Sequence, residues 1–123
     1  MKILVVDDNR VLRELIRDII CDSFEATVVM AIDGQDGLRE FAESWPDLVV
    51  TDLRMETPEA GLWLAEKIKI ISQTTPVIVI SAEPDFLKPR FVDDFMPKPI
   101  KMGDFVSKIS MWMQAVDKRE RMV

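Results

Sequence analysis

The residues of this chain that are able to do chemistry fall at the ends of its short apolar runs. The run at 3–6 closes on Asp7 and Asp8, the run at 48–50 on Thr51 and Asp52, the run at 76–80 on Ser81 and Ala82, and the last apolar fragment on Lys98 and Pro99. Three carboxylates brought together repel one another, and each raises the cost of ionising the next. A divalent cation that takes oxygen ligands removes the repulsion and leaves positions open for a phosphate, so Asp7, Asp8 and Asp52 read as a magnesium or calcium site. Lys98 adds a point charge for phosphoryl oxygens and the Ser81 hydroxyl can donate to one of them. Asp52 can then act as a nucleophile that becomes an aspartyl phosphate. Singly, each residue has a structural reading: Asp7-Asp8-Asn9 as a helix cap, Asp52 as another cap, Ser81 as a turn hydroxyl, Lys98 as a surface cation. Four strand ends carrying complementary chemistry, in runs otherwise apolar, favour the joint reading.

For these ends to meet, the runs must be parallel strands. Apolar runs at 3–6, 27–31, 48–50 and 76–80 alternate with helix-period segments at 11–21, 37–44, 61–71 and 105–116. That alternation is the signature of βαβ units around a parallel sheet, and continuous rather than alternating apolarity fits strands covered on both faces. In such an open sheet, ligands bind outside the carboxyl ends of the strands. In the first helical segment Val11, Leu15 and Ile19, with Leu12, Ile16 and Ile20, are expected to form one buried stripe, with Cys21 as a small core residue. Phe105, Ile109, Trp112 and Val116 repeat the pattern in the last, and Trp63 is expected in the core beside Leu62 and Leu64. Asp33-Gly34 can cap the second helix, and Trp45-Pro46-Asp47 can stop it.

Composition narrows the class. At 123 residues, 48% hydrophobic and 31% charged, the chain is the size and type of one globular domain. That domain is expected over residues 1–118, with 119–123 as a polar tail. No apolar run reaches the roughly 18 residues of a membrane span, and the start turns acidic too soon for a secretory signal, so a cytoplasmic protein is expected. A net charge of −6 with no basic stripe argues against direct nucleic-acid binding. The chain has no histidine, which removes Ser-His-Asp and Cys-His catalysis and most zinc sites.

The stretches ILVVDDNRVLRELI, PDLVVTDLRM, PVIVISA and DDFMPKPI, with the Asp-Gly start of the second helix, resemble the receiver domain of two-component response regulators across nearly the whole chain. The resemblance implies a flavodoxin-like fold, a five-stranded parallel sheet of order 2-1-3-4-5 with helices on both faces, which the receiver family itself exemplifies. It implies Asp52 as the phosphoacceptor, Asp8 as a direct Mg2+ ligand, Asp7 as a ligand through water or a supporting partner, and the backbone carbonyl of Arg54 as a further ligand. Ser81 and Phe95 match the switch pair, Lys98 the phosphate-binding lysine, and the Lys98–Pro99 bond is expected to be cis. Phosphate would come from a sensor histidine kinase or a histidine phosphotransfer protein. The chain would signal by conformational switching to an unknown downstream protein, with a homodimer as a further expectation, and would not be an enzyme beyond promoting its own phosphorylation and dephosphorylation.

Two departures stand out. After Asp52 the expected proline is delayed to Pro58 and the loop to Gly61 is one residue longer than the family pattern. Between Ser81 and Lys98, where the family places its fourth helix, little more than residues 83–93 is available, near the lower limit for a crossover, and Pro89 would stop any helix that Pro84 opened. At most one helical turn or a loop is expected there, hence a degenerate fourth helix and an altered output face. Pro97 requires the last strand to be an edge. Phe86, Phe91 and some of Met111, Trp112 and Met113 would then form a substitute partner surface or a repacked core. Arg54 and Glu83 are expected to pair across the site and slow the loss of phosphate.

Other classes fit less well. A receiver-like scaffold acting through protein contacts, independently of phosphorylation, is an alternative that the intact acidic residues argue against. A phosphatase or mutase of the haloacid dehalogenase type needs a second acid two positions after its nucleophile, where this chain has Arg54. A flavodoxin needs a hydroxyl- and amide-rich phosphate loop after its first strand, where Asp7 and Asp8 would repel the phosphate.

Overall fold

The computed structural model of the protein describes residues 1–83 and 87–122. Five parallel strands alternate with four helices: β1 (Lys2–Val6), α1 (Arg10–Ser23), β2 (Thr27–Ala31), α2 (Gly34–Ser44), β3 (Leu48–Asp52), α3 (Ala60–Ile71), β4 (Val77–Ser81), β5 (Asp94–Pro97) and α4 (Met102–Arg121). The sheet runs β2-β1-β3-β4-β5, the flavodoxin-like order. Strand order reverses between β1 and β3, where Val6 lies opposite Thr51, so Asp7 and Asp52 emerge side by side at that switch point.

Alternate strand residues face opposite layers, and the core divides accordingly. Ile3, Val5, Val50, Ile78 and Ile80 pack under α1 and α4 with Ile16, Ile20, Phe105 and Ile109. Leu4, Val6, Val49, Val77 and Val79 pack under α2 and α3 with Phe41, Leu64, Ala65 and Ile68. The helices end where their sequences say they must. Asn9 caps α1 by accepting from Leu12 N at 3.0 Å, and Asp33 caps α2 by accepting from Asp36 N at 2.8 Å. Trp45 closes α2 in the left-handed region at φ 48°, just before Pro46.

Several expected core residues lie elsewhere. In α1 the buried stripe is Ile16, Ile19 and Ile20 with Leu12 beside them, while Val11 is 77% exposed and Leu15 48% exposed. Six apolar residues span too wide an arc for one face at about 100° per residue, so Val11 and Leu15 fall on the flank. Cys21 is exposed. Nine residues on from Leu12 it stands about half a turn away from the sheet. Trp63, next to inward-facing Leu64 in α3, is likewise on a flank and 40% exposed. Helix α4 continues to Arg121, so most of the polar segment set apart from residue 119 is helical.

The crossover at 82–93 contains no helix among its described residues; Val92 N closes a turn onto Pro89 O at 3.0 Å. Pro84 and Phe86 lie outside the described residues. Val92 enters the α2/α3 layer of the core and Phe91 packs against it, while Trp112 and Met113 pack against the other layer, so most of these apolar residues repack the core and Met111 remains exposed. Two adjacent carboxylates hold β5 from opposite sides. Asp93 accepts from Lys69 Nζ of α3 and from Val77 N at 2.8 Å, and Asp94 accepts from Lys108 Nζ at 2.9 Å and Trp112 Nε1 at 2.8 Å, both of α4. β5 is the edge that Pro97 requires, and Phe95 N, which faces outward beside it, bonds to Asp94 Oδ1 at 2.8 Å, so the edge is blunted against further pairing.

Candidate functional site

The carboxyl edge of the sheet brings together what the sequence places at its strand ends. One carboxylate oxygen from each of Asp7, Asp8 and Asp52 lies within 4.8 Å of the others. Asp7 is fully buried, Asp52 nearly so, and Asp8 exposed. Lys98 Nζ stands 3.0 Å from Asp52 Oδ1, which also accepts from Leu53 N at 2.9 Å. Both donors go to Oδ1, which leaves Oδ2 as the oxygen available for a cation or an electrophile.

Asp7 is held by the strand-to-helix turn: its Oδ1 accepts from Asn9 N at 2.8 Å, and its carbonyl accepts from Arg13 Nη1 at 2.8 Å. Its other oxygen, Oδ2, is buried with no hydrogen-bond partner among the described residues. Burial pushes the Asp7 carboxyl up to about 6; the Asn9 amide opposes this, and the negative charges of Asp52 and Asp8 add to it against the pull of Lys98. A buried, unpartnered carboxylate oxygen is costly unless something compensates it. This donor set, three carboxylates with one oxygen left open, fits a hard divalent cation such as Mg2+, with Asp7, Asp8 and Asp52 as the side chains that would hold it.

Ser81 is buried one residue beyond the strand partner of Asp52, and its Oγ accepts from Glu83 N at 3.0 Å. Phe95, half-buried on β5, lies opposite Val79. The Lys98–Pro99 bond is cis. Arg54 and Glu83, from the loops after β3 and β4, form an ion pair, with Arg54 Nε 2.9 Å from Glu83 Oε1, and both side chains remain well exposed.

Two further residues shape the site's frame: Gly61, which the sequence marks only as the end of the loop after Asp52, and Glu56, which it does not mark at all. Gly61 opens α3 against the end of β3: a Cβ there would lie 2.2 Å from the Asp52 carbonyl oxygen and 2.9 Å from Leu53 Cα, so only glycine permits this approach. Its position at the end of the loop after Asp52 was the available signal. Glu56 reaches from that loop to the start of α2, accepting from Gly34 N at 2.8 Å and Gln35 N at 3.0 Å. Burial works against its ionisation, yet the amide donors outweigh it and hold the carboxyl below the usual range. No local pattern announces this contact, which spans 22 residues.

A doubly wound sheet with an acidic cluster and a lysine at its switch point is a class of phosphate-handling domain. The sequence matches the response regulator receiver domain family over residues 3–110, and the chain belongs to that family. It is similar to the response regulator MprA of Mycobacterium ulcerans (strain Agy99), 31% identical over 116 residues that cover 89% of this chain and 48% of that protein. It is also similar to the Regulator of RpoS of Escherichia coli (strain K12), 39% identical over 105 residues that cover 81% of this chain and 31% of that protein. The chain thus spans about half or less of the length of these curated relatives. Among solved structures, a response regulator receiver domain protein from Clostridium thermocellum superposes with a TM-score of 0.84 at 23% identity, covering 99% of this chain and 98% of that one. The chain therefore carries the receiver domain of two-component response regulators. No helix among the described residues is long and apolar enough to cross a membrane.

Proposed function

We propose that the chain accepts a phosphoryl group on Asp52 from a phosphohistidine of a sensor kinase or phosphotransfer protein, in a Mg2+-dependent reaction, and signals by a change of conformation. The observation that carries this reading is the meeting of Asp7, Asp8 and Asp52 within 4.8 Å, with Lys98 Nζ 3.0 Å from Asp52 Oδ1. When bound, Mg2+ supplies positive charge that offsets the carboxylates and the incoming phosphoryl oxygens. Asp52 Oδ2 attacks phosphorus and the new O–P bond forms as the P–N bond breaks; the donor's ring nitrogen keeps that electron pair and takes a proton from solvent. Lys98 holds Oδ1, orients the carboxylate, and then faces the phosphoryl oxygens. Ser81 exchanges its bond to Glu83 N for a hydroxyl contact to the phosphoryl group, and Phe95 moves with it as the second half of the switch. The Arg54 backbone carbonyl would supply a further oxygen ligand when the cation is bound.

Return to the free acid requires water to attack the same phosphorus, releasing inorganic phosphate and the Asp52 carboxylate. The Arg54–Glu83 pair bridges the two loops that flank this approach and hinders the water. Arg54→Ala and Glu83→Ala are expected to lose phosphate faster; unchanged decay in both would remove that role.

The test of the main reading is intact mass after incubation with acetyl phosphate. A single phosphoryl adduct that disappears with chelator and in Asp52→Asn supports it, and an adduct that forms equally without Mg2+ or in Asp52→Asn refutes it.

A further inference from the structure

Helix α3 is apolar beyond what its buried face requires. Ala60, Gly61, Leu64, Ala65 and Ile68 are buried in the core layer, yet Trp63 is 40% exposed and Ile70 73% exposed. Glu59, Trp63, Glu66 and Ile70 follow one another at spacings of four, three and four, which aligns them in a stripe along the outer side of the helix.

Among the described residues, the side chains of the two glutamates of this stripe hold no ion pair or helix cap. Glu59 stands at the N-cap of α3 but makes no side-chain cap bond. Among the described residues neither Glu59 nor Glu66 has an ion-pair partner. A lysine four residues after Glu66 would supply one, but Ile70 occupies that position. Beside the stripe runs a groove of about 540 Å³ with Ala60, Leu62, Trp63 and Phe91 as its apolar lining and Glu56, Glu59 and Glu66 as its acids; among the described residues no lysine or arginine lines it. Glu56 is committed to the amides of α2, so the uncompensated negative charge belongs to Glu59 and Glu66. The crossover at 82–93 lays no helix against this flank among its described residues.

We propose that this stripe and groove are a docking surface for a basic amphipathic helix of another protein. Its apolar ridge would cover Trp63, Ile70 and the Phe91 side of the groove, and its lysines or arginines would face Glu59 and Glu66. Helix-in-groove recognition uses apolar anchors at helical spacing, and the aromatic anchor carries most of the affinity. The exposed charges contribute orientation and choice of partner more than binding strength. The proposal does not depend on the phosphoacceptor reading, since none of its residues belongs to the proposed metal or phosphate site.

The experiment titrates the chain with a leucine–lysine peptide of about 14 residues, long enough to form an amphipathic helix, following two-dimensional amide and indole NMR shifts. The comparison probe is the same peptide with glutamate in place of lysine. The expected result is saturable binding of the lysine peptide alone, with shifts concentrated on α3 and the Trp63 indole. Affinity should fall by at least about tenfold in Trp63→Ala and in the double variant Glu59→Lys/Glu66→Lys, both checked for native circular dichroism. It should change little in Asp22→Lys/Glu25→Lys, which makes the same charge change away from this face. Equal loss in that control pair would show non-specific attraction to an acidic protein and overturn the proposal, as would equal binding of the glutamate peptide. A dimer of the chain alone that Trp63→Ala converts to monomer would overturn it in favour of self-association.

Discussion

The two ends of the sheet's carboxyl edge are built on different principles. At the β1/β3 end, backbone geometry places the carboxylates: Asp7 directly follows β1, Asp52 ends the adjacent parallel β3, and Gly61 lets the next helix start directly against the Asp52 carbonyl. At the β4/β5 end, the connection lacks a helix among its described residues, and β5 is held by side chains instead. Lys69 reaches Asp93 from one face, Lys108 and Trp112 reach Asp94 from the other, and Val92 fills the core layer between. The contrast teaches that a site drawn from strand ends needs the strands, not every crossover. A helix can be lost if its strand remains anchored and the core beneath stays filled.

If the first end depends on backbone approach, the largest effect should follow from the smallest added atom. Gly61→Ala places a methyl group 2.2 Å from the Asp52 carbonyl oxygen, so either β3 or α3 must shift. A loss of about 3 kcal/mol in urea unfolding is expected, with displaced amide shifts at Asp52 and Leu53. A neutral result would mean that the approach is slack and that the proposed difference between the two ends is wrong.

Asp7→Asn should act in the opposite direction. Because the folded protein holds this carboxyl near 6 and the unfolded chain near its ordinary value of 3.8, the folded state binds the proton more tightly. The contribution of Asp7 to stability is therefore favourable below about pH 4, declines as pH rises towards 6, and leaves a net cost above that. In chelator, Asp7→Asn should be more stable than the parent by about 2 to 3 kcal/mol at pH 7, with the difference shrinking as pH falls towards 4. Added Mg2+ should stabilise the parent more than the variant. Urea titrations across this range check both statements.

Asp94→Ala tests the anchored end. It removes the acceptor for Lys108, Trp112 and Phe95 N and should cost about 2 kcal/mol. Burial disfavours ionisation of Asp94, but the Lys108 ammonium, the Trp112 indole and the Phe95 amide outweigh it and hold the carboxyl below the usual range. Its stabilisation is thus present above the unfolded value and lost as pH falls through the folded one, the reverse of Asp7. The variant should narrow its deficit in acid, and phosphoryl acceptance at neutral pH should survive. Loss of acceptance would show that the site needs the β5 anchor after all.

The smallest effect belongs to the Arg54–Glu83 pair. With both side chains well exposed, Arg54→Ala should change stability by less than about 1 kcal/mol, while its effect on phosphate loss is read separately.

Strand identity was legible because a parallel strand covered on both faces must be continuously apolar, and ILVV, LVV and VIVI have few other uses, whereas the order 2-1-3-4-5 followed from the family resemblance and not from the apolar pattern. The site was legible for the same reason: polar residues after such runs lie at the sheet edge whatever the helices do, so Asp7, Asp8, Asp52, Ser81 and Lys98 could be placed without side-chain detail. The degenerate crossover was legible from its length and its prolines. Helix faces were less so. Val11, Leu15, Cys21 and Trp63 were expected inside because apolar residues at helical spacing were assigned to the core without regard to the width of the arc they occupy. Contacts set by three-dimensional proximity left no local trace: Glu56 on the amides of α2, and Asp93 and Asp94 turning to opposite faces, are ordinary charges in the sequence.

The central claim is that Asp52, rather than its neighbours Asp7 and Asp8, carries the phosphoryl group. The direct measurement is site mapping: treat the protein with acetyl phosphate and Mg2+, reduce the acyl phosphate with borohydride, and locate the resulting homoserine by tandem mass spectrometry of the digest. Conversion confined to position 52 is the expected result. Conversion at position 7 or 8, or none in a sample whose intact mass shows the adduct, would contradict it.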